Sequence, residues 1–181
     1  MPMKSAAPSD ELEILLDAET IARRVRELAA QISADYRGRP LHVVGILKGA
    51  WVFLADLVRH LELEVSVDFL SIASYGDNAH SSGAVKITKD LDQSIEGRDV
   101  LVVEDILDTG HTFEYLRGVL EAHKPRSLKV VTLLDKPSHR ARPVQADYVG
   151  FTIPDVFVVG YGLDYAQKYR SLPEVRILRH S

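Results

Sequence analysis

The residues of this chain best suited to chemistry lie in one short segment, residues 101–112, with the sequence LVVEDILDTGHT. Its apolar stretch ends in two adjacent carboxylates, Glu104 and Asp105. Adjacent carboxylates without partners repel each other, whereas a magnesium ion or a diol would satisfy both of them. Asp108 follows after two apolar residues, at a place where a carboxylate could accept a proton from a bound ring.

The same segment continues as Thr109-Gly110-His111-Thr112 and then enters a predicted helix. The first turn of a helix presents unpaired backbone N–H groups and the positive end of the helix dipole. Gly110 would let a phosphate approach the backbone closely, and Thr109 and Thr112 add hydroxyl donors. Taken alone, Asp108 could instead be the N-cap of that helix. The ordered set of acids, glycine and threonines favours a phosphate site beside a metal or diol site.

The elements that must position these residues alternate between strand and helix. Helical spacing predicts helices over residues 17–36, 50–61 and 111–123, the first of them capped by Asp17. Short apolar or alternating runs predict strands or strand-like segments at 41–47, 65–73, 85–88, 99–103, 128–134, 148–151, 156–159 and 175–178. This order predicts an α/β domain with a mainly parallel central sheet and right-handed crossovers. In such a sheet a ligand binds beyond the carboxyl ends of the strands, where residues 104–112 would lie.

Length, charge and cysteine content limit the function further. A chain of 181 residues with 46% hydrophobic residues suits a single domain, residues 1–181. The net charge of −4 argues against a protein that coats nucleic acid, although it permits a local basic pocket for a phosphorylated small molecule. The sequence has no cysteine, which excludes disulfides, a thiol nucleophile and cysteine-based metal sites. That composition fits a reducing cytoplasm, and we expect neither a secretory signal nor a membrane span.

The sequence VVEDILDTGHT closely resembles the phosphoribosyl-pyrophosphate motif of type I phosphoribosyltransferases. From about residue 12 to residue 178, the chain is similar to the hypoxanthine-guanine phosphoribosyltransferase family. The resemblance implies a mainly parallel sheet flanked by helices, with a small hood formed by terminal segments. It also implies transfer of a phosphoribosyl group to N9 of hypoxanthine or guanine, giving IMP or GMP. A homodimer or homotetramer is typical of the family.

The resemblance implies that Glu104 and Asp105 hold the ribose diol or Mg²⁺. It also implies that the loop through Thr109, Gly110 and Thr112 holds the 5′-phosphate. Asp108 would take the proton of the base. Lys48 and Gly49 match a family pair that lies against the pyrophosphate, with a cis peptide bond that we expect between them. Ser74 and Tyr75 match the opening of a lid over the reacting centre. Without the resemblance, these two segments would be a strand-to-helix turn and a surface loop.

The remaining matches concern the base and the leaving group. The resemblance implies that Lys136 donates to the 6-oxo group, which would disfavour the 6-amino group of adenine because it sets donor against donor. It implies that Phe157 stacks on the purine and that the backbone of Val158 bonds to the base edge. Asp164 matches a carboxylate near the base and a second magnesium, and Arg170 matches an arginine near the pyrophosphate. Read alone, Lys136 would be a solvated lysine and Phe157 a core residue.

Two alternatives remain open from the sequence. A regulator of the same fold could sense phosphoribosyl pyrophosphate while binding nucleic acid, although the charge of −4 and the base-reading residues disfavour it. Another acceptor base, xanthine or a pyrimidine, is the second alternative. His111 lies in the phosphate loop where relatives often carry lysine or arginine, and we assign it no role.

Overall fold

The computed structural model describes residues 11–74 and 85–179 of the chain. Its helices are α1 (Ala18–Asp35), α2 (Trp51–His60) and α3 (His111–Ala122). Its strands are β1 (Glu11–Leu16), β2 (Leu41–Leu47), β3 (Val65–Ser74), β4 (Val85–Lys89), β5 (Asp99–Leu107), β6 (Ser127–Asp135), β7 (Tyr148–Thr152), β8 (Val158–Val159) and β9 (Val175–Arg179). A single turn of 3-10 helix, Pro137–His139, follows β6.

The central sheet has six strands in the order β4-β3-β2-β5-β6-β7. All neighbouring pairs are parallel except β3 and β4, which pair antiparallel at the edge. The strands β2 and β5 lie in the middle and are almost wholly buried, because their near-continuous apolar runs suit a strand covered on both faces. The predicted α/β fold with a mainly parallel sheet is therefore confirmed.

The two faces of the sheet carry separate cores. Alternate residues of β5 point to opposite faces, so that Leu101 and Val103 pack in the core that contains the buried sides of α1 and α2. Val100 and Val102 pack in the other core, against the buried side of α3. The alternation continues through Glu104, which lies near Phe113, and Asp105, which meets Gly49. It reverses after them, because Ile106 packs against the α1–α2 core and Leu107 in the α3 core.

The predicted end of that strand, after residue 103, is too early. Glu104 still pairs with Thr132 of β6, and Ile106 pairs with Leu134. Backbone pairing needs no apolar side chain, so the change to acidic residues does not end the strand.

The predicted first helix is confirmed, together with its cap and its buried side. The carboxylate of Asp17 accepts a hydrogen bond of 2.7 Å from the backbone N–H of Thr20, as an N-cap residue does. The buried residues are those that recur at helical spacing, namely Ile21, Val25, Leu28, Ala29 and Ile32.

A second, three-stranded sheet has the order β1-β9-β8. Both β1 and β8 pair antiparallel with β9, so the terminal segments form the predicted hood. The sequence did not predict β1, and the segment expected at 156–159 contracts to Val158–Val159. Within the described ranges, none of the helices combines the length and the apolar character needed to cross a bilayer.

Candidate active site

A cavity of about 350 Å³ opens at the carboxyl edge of the central sheet. It brings together most of the predicted site residues, which come from the ends of β2 and β5, the start of α3 and the segment after β8. Those that line it are Lys48, Gly49, Glu104, Asp105, Asp108, Thr109, Gly110, Thr112, Asp164 and Arg170. Lys136, Phe157 and Val158 are not among its lining residues. Tyr75 lies outside the described residues, and Ser74 is described only as the last residue of β3.

Glu104 and Asp105 reach this cavity from opposite faces of the sheet. Glu104 is buried on the α3 side near Phe113, and its Oε1 atom has no hydrogen-bond partner among the described residues. Burial, and then the charge of Asp105, raise the pKa of Glu104 well above its ordinary value. Burial also raises the pKa of Asp105, against the effect of the Ile106 backbone N–H that donates to its Oδ1 atom at 2.7 Å. The charge of Arg170 lowers the pKa of Asp105 only in part, and among the described residues neither carboxylate forms an ion pair.

The backbone at Gly49 packs directly against one of these carboxylates. A Cβ atom at Gly49 would lie 1.7 Å from Oδ2 of Asp105, and one at Gly162 would lie 2.4 Å from the Gly49 carbonyl oxygen. The structure places the cis peptide bond between Leu47 and Lys48, so the prediction of a cis bond between Lys48 and Gly49 is wrong by one residue. The strand β2 ends at Leu47, and the chain changes direction at the bond that leaves the strand.

The loop before α3 has the backbone shape expected of a phosphate site. Gly110 is the N-cap of α3, with a φ of 91°, and no side chain caps the helix. The alternative that Asp108 is the N-cap is therefore wrong. A Cβ atom at Gly110 would lie 2.6 Å from Cγ2 of Val144, so both the backbone conformation and the packing require glycine. His111, to which we assign no role, has its Nδ1 atom 3.2 Å from Nε of Arg142.

Near the ends of β5 and β6, Asp108 lies between two basic side chains, those of Lys136 and His139. The Nζ atom of Lys136 lies 3.9 Å from Oδ2 of Asp108 and 3.7 Å from Oδ1 of Asp155. Lys136 is only 6% exposed, so it is not a solvated lysine. On the other side, Nδ1 of His139 hydrogen-bonds to Oδ1 of Asp108. That hydrogen bond is the main cause that raises the pKa of His139, and the charges of Asp108 and Asp155 act in the same direction.

The predicted base platform lies beside the hood. Half of the surface of Phe157 is exposed, which excludes the core alternative for this residue. Its ring meets the ring of Tyr165 edge to face, with centroids 5.7 Å apart and planes at 86°. Val158 is buried in β8, and the Phe157 carbonyl accepts a hydrogen bond from the Leu178 backbone N–H at 2.9 Å.

Arg170 and Asp164 form an ion pair that lines the cavity. The NH2 atom of Arg170 lies 3.0 Å from Oδ1 of Asp164, and its NH1 atom donates to the Gly162 carbonyl at 2.7 Å. The other Asp164 oxygen accepts from the Gln167 backbone N–H at 2.8 Å. The pair is thus fixed by its own loop and presents one guanidinium and one carboxylate to the cavity.

The donor set suits Mg²⁺ if a substrate completes it. Among the described residues, no cluster of three or more histidine, aspartate or glutamate side chains is placed to hold a metal by itself. Mg²⁺, however, is commonly bound through one or two carboxylates together with substrate phosphates and water. The unpartnered, buried Oε1 atom of Glu104 and the adjacent Asp105 provide such hard oxygen ligands at the cavity.

Sequence reasoning missed two residues next to Asp108, namely His139 and Arg140. His139 contacts the Asp108 side chain, and Nε of Arg140 donates to the Asp108 carbonyl at 3.0 Å. The partners are 31 and 32 residues apart along the chain. No local motif connects residues at such a separation, so only the folded chain reveals them.

Comparisons with known proteins agree with this geometry. A family model described as "Phosphoribosyl transferase domain" matches residues 11–166. The hypoxanthine-guanine phosphoribosyltransferase of Bacillus subtilis (strain 168) is 48% identical over 167 residues, which are 92% of this chain and 93% of that protein. The enzyme of the same name from Staphylococcus aureus (strain Mu50) is 48% identical over 171 residues, 94% of this chain and 96% of that protein.

A crystal structure of a hypoxanthine-guanine phosphoribosyltransferase from Bacillus anthracis has the same fold, with a TM-score of 0.89 and 47% identity. The match covers 92% of this chain and 99% of that one. The sheet, the phosphate loop and these relatives all lead to one assignment: the chain is a phosphoribosyltransferase and belongs to the hypoxanthine-guanine phosphoribosyltransferase family.

Proposed function

We propose that this enzyme transfers the 5-phosphoribosyl group of phosphoribosyl pyrophosphate to N9 of hypoxanthine or guanine, which gives IMP or GMP and pyrophosphate. The observation that carries the proposal is the buried Lys136 ammonium, 3.9 Å from Oδ2 of Asp108 at the edge of the site. In a 6-oxopurine, O6 is an acceptor and lies next to N7 on one edge of the base. A single bound base can therefore accept from Lys136 at O6 and give its N7 proton to Asp108.

The bond changes follow from this arrangement. A bond forms between N9 of the purine and C1 of the ribose, and the bond from C1 to the pyrophosphate oxygen breaks. The proton on N7 of the base goes to Asp108, and the electron pair of the broken bond leaves with pyrophosphate. The ribose ring carries positive charge in the transition state, as at other glycosyl centres.

The residues around the cavity hold the two ends of phosphoribosyl pyrophosphate. In the proposal, the N–H groups and hydroxyls of Thr109, Gly110 and Thr112 bind the 5′-phosphate, as the start of a helix commonly does. Lys48, Gly49 and Arg170 lie against the pyrophosphate in this proposal, and all three line the cavity. Each charge on the phosphates then has a donor already in place.

Glu104 and Asp105 would bind the ribose diol and, with Asp164, contribute ligands for Mg²⁺. When bound, Mg²⁺ would neutralise charge on the leaving pyrophosphate. The raised pKa values of Glu104 and Asp105 support this role, because a carboxylate buried without a cation is electrostatically unsatisfied.

The base would lie between Lys136 and the half-exposed ring of Phe157, with the Val158 backbone at its edge. A 6-amino group at the base would place a donor against the Lys136 ammonium and leave a buried donor unsatisfied. This arrangement favours 6-oxopurines over adenine. Ser74 and Tyr75 are proposed to open the lid segment that covers the reacting atoms.

A coupled assay with phosphoribosyl pyrophosphate, Mg²⁺ and each of hypoxanthine, guanine, xanthine and adenine tests the proposal. We expect turnover with hypoxanthine or guanine and little with adenine. An absence of turnover with all four bases would refute the enzyme assignment of this site. Filter binding to RNA and DNA over a range of salt concentrations tests the regulator alternative, for which tight, salt-sensitive binding is the signature.

The proposal also covers the domain organisation, the oligomeric state and the cellular location of the enzyme. Residues 1–181 would form one domain, which is supported by the pairing of β1 with β9 across the described chain. A homodimer or homotetramer follows from the family, and sedimentation analysis measures it. A cytoplasmic location agrees with a sequence that has no cysteine.

A further inference from the structure

The segment that follows Lys136 wraps the outside of the loop that carries Asp108 and the phosphate-binding residues. It begins with the 3-10 turn Pro137–His139 and continues through Arg140 to Val144. Arg140 of this segment contacts the loop, and its side chain is only 14% exposed. The guanidinium borders a surface groove behind the loop and is not among the residues that line the substrate cavity. Arg140 therefore borders the groove and lies outside the cavity that we propose holds the phosphates.

The guanidinium of Arg140 uses its fork of donors to hold backbone carbonyls. Its Nε atom donates to the Asp108 carbonyl at 3.0 Å, and its NH1 atom donates to the Val144 carbonyl at 2.6 Å. Its NH2 atom bonds to the Asp135 carboxylate and lies 3.5 Å from the Leu107 carbonyl oxygen. The ion pair with Asp135 fixes this fork to the end of β6, next to Lys136.

The backbone of the same segment completes the arrangement. The N–H groups of Ala141 and Arg142 both donate to the Thr109 carbonyl, at 2.8 and 3.1 Å. The Lys136 N–H donates to the Leu107 carbonyl at 2.9 Å. Residues 140–142 thus hold the carbonyls of Asp108 and Thr109, and the Leu107 carbonyl continues the pairing of β5 with β6.

In a trans peptide, the C=O and N–H groups point in opposite directions. The carbonyls of Asp108 and Thr109 accept from residues that do not line the cavity, so we expect the N–H groups of the next residues, Thr109 and Gly110, to point toward the cavity that these two residues line. Successive N–H groups that converge in this way form a concave site for an anion. The positive φ of Gly110, 91°, continues this turn into the start of α3.

We propose that Arg140 is a positioning residue for phosphoribosyl transfer: it orients the peptide planes of the 107–110 loop so that their N–H groups receive the 5′-phosphate. The inference rests on the proposed function and adds to it a residue that does not touch the substrates. The charge of Arg140 is already paired with Asp135, so its effect comes from the geometry of the guanidinium and not from attraction of the phosphate. Lysine, which keeps the charge but loses the fork, cannot replace it.

The test is Arg140→Lys, compared with Arg117→Lys as the matched control. Arg117 borders the same groove, but it is exposed and bonds to Glu121 on α3. For Arg140→Lys we expect the KM for phosphoribosyl pyrophosphate to rise about tenfold or more, because a charged donor to the loop backbone is lost. The KM for hypoxanthine at saturating phosphoribosyl pyrophosphate should stay within about twofold. The control should change neither constant.

A residue that only supports the fold would behave differently. In that case, Arg140→Lys would lower kcat in proportion to the folded fraction and leave the KM for phosphoribosyl pyrophosphate unchanged, which would overturn the proposal. If Arg140→Lys does not fold, Asp135→Asn decides the matter. It frees the guanidinium from β6 and should raise the same KM, whereas an unchanged KM in this variant rejects the proposal.

Calorimetry with phosphoribosyl pyrophosphate separates this inference from the proposed function. Weaker binding by folded Arg140→Lys than by Arg117→Lys supports the positioning role even if the base assignment fails. Equal binding by both variants overturns the positioning role and leaves the proposed reaction standing. A native protein that does not bind phosphoribosyl pyrophosphate overturns both.

Discussion

His139 hydrogen-bonds through Nδ1 to Oδ1 of Asp108, the carboxylate proposed to take the proton of the base. The second oxygen of Asp108 faces the ammonium of Lys136 at 3.9 Å. As an imidazolium, His139 donates to an Asp108 carboxylate that accepts only, which is the ionisation state that a proton acceptor needs. The same hydrogen bond therefore stabilises this loop and favours the ionised form of Asp108.

This pair predicts a pH-dependent contribution to stability. The pKa of His139 is raised in the folded protein by its hydrogen bond with Asp108. A raised histidine pKa gives a contribution that is fully present below the pKa of the unfolded chain and is lost as the pH rises through the folded value. His139→Gln should therefore lower Tm by about 1–3 °C at acidic pH, with no difference at alkaline pH, because an exposed pair contributes little. Thermal melting between these pH limits measures it, and a constant difference across the range would contradict the assignment.

Asp108→Asn should separate turnover from substrate binding. The amide keeps the shape of the side chain but cannot accept the N7 proton, so kcat should fall by about 10²–10⁴-fold. The Kd for phosphoribosyl pyrophosphate should stay within about twofold, since the phosphate loop uses backbone donors. Stopped assays and calorimetry measure the two quantities. Asp155→Asn is the control, since Asp155 also faces Lys136. Equal losses in turnover and in phosphoribosyl-pyrophosphate binding for Asp108→Asn would instead show a binding role.

Lys136→Ala should weaken the distinction between 6-oxo and 6-amino purines. Removal of the donor to O6 should reduce kcat/KM for hypoxanthine by about 5- to 150-fold, with a smaller change for adenine. Lys129→Ala provides the control, because Lys129 lies on β6, the strand that Lys136 follows, but packs its ammonium over the ring of Tyr148. Competition assays with both bases measure the ratio. An unaltered ratio would remove Lys136 from base recognition.

Substitution by alanine should have different effects at two glycines, Gly49 and Gly118. In Gly49→Ala the new Cβ would overlap the Asp105 carboxylate, with 1.7 Å to Oδ2, so phosphoribosyl-pyrophosphate binding should weaken strongly. Gly118 lies within α3, and a Cβ there would meet nothing within 4 Å. Gly118→Ala should therefore raise the free energy of unfolding by about 0.5–1 kcal/mol and leave binding unchanged. Urea unfolding and calorimetry on both variants check the contrast, which fails if the two variants bind equally well.

Glu104→Gln should raise the stability of the ligand-free protein and weaken substrate binding. Burial raises the folded-state pKa of Glu104, so the folded chain binds more protons at this group than the unfolded chain. The stability of the native protein should then fall as the pH rises above the unfolded value of about 4.3, until the folded value is passed. The variant lacks this loss, so it should be more stable than the native protein at neutral pH, with the difference in stability closing near pH 4.

Addition of phosphoribosyl pyrophosphate with Mg²⁺ provides the matching measurement for Glu104. The ligands should raise Tm of the native protein clearly and that of Glu104→Gln only slightly, because a ligand stabilises in proportion to its binding. An equal increase in Tm for both proteins would show that Glu104 contributes nothing to the binding of these ligands.

Much of the fold could be predicted because the decisive signals are local. The continuous apolar run of β2 and the helical spacing of α1 each indicate burial without knowledge of the partner. The strand β1 carries no such signal: its sequence ELEILL is mixed, and its stability comes from pairing with β9 at the other end of the described chain. Local patterns therefore predict elements that pack broadly and miss elements that depend on one distant partner.

The candidate site divides in the same way. Glycine, threonine and acidic residues in the 104–112 segment have backbone and charge requirements that their spacing reveals. Arg140 and His139 have no such spacing, since they act on the loop only after β6 has been placed beside β5. The positioning that we propose depends on these later contacts, so the sequence predicted candidate binding groups and gave no signal for the residues that would position them.

The placement of Glu104 and Asp105 on opposite faces of β5 limits how the gene for this enzyme can change. Insertion of a single residue between Asp99 and Glu104 would exchange the two faces, turning every following side chain of the strand toward the other core. The acid that now meets Gly49 would then face α3, and the site would be lost although its composition was intact. We therefore expect a single insertion or deletion upstream of the site in this strand to abolish activity unless a bulge or a second change restores the register, which a library of such variants would measure.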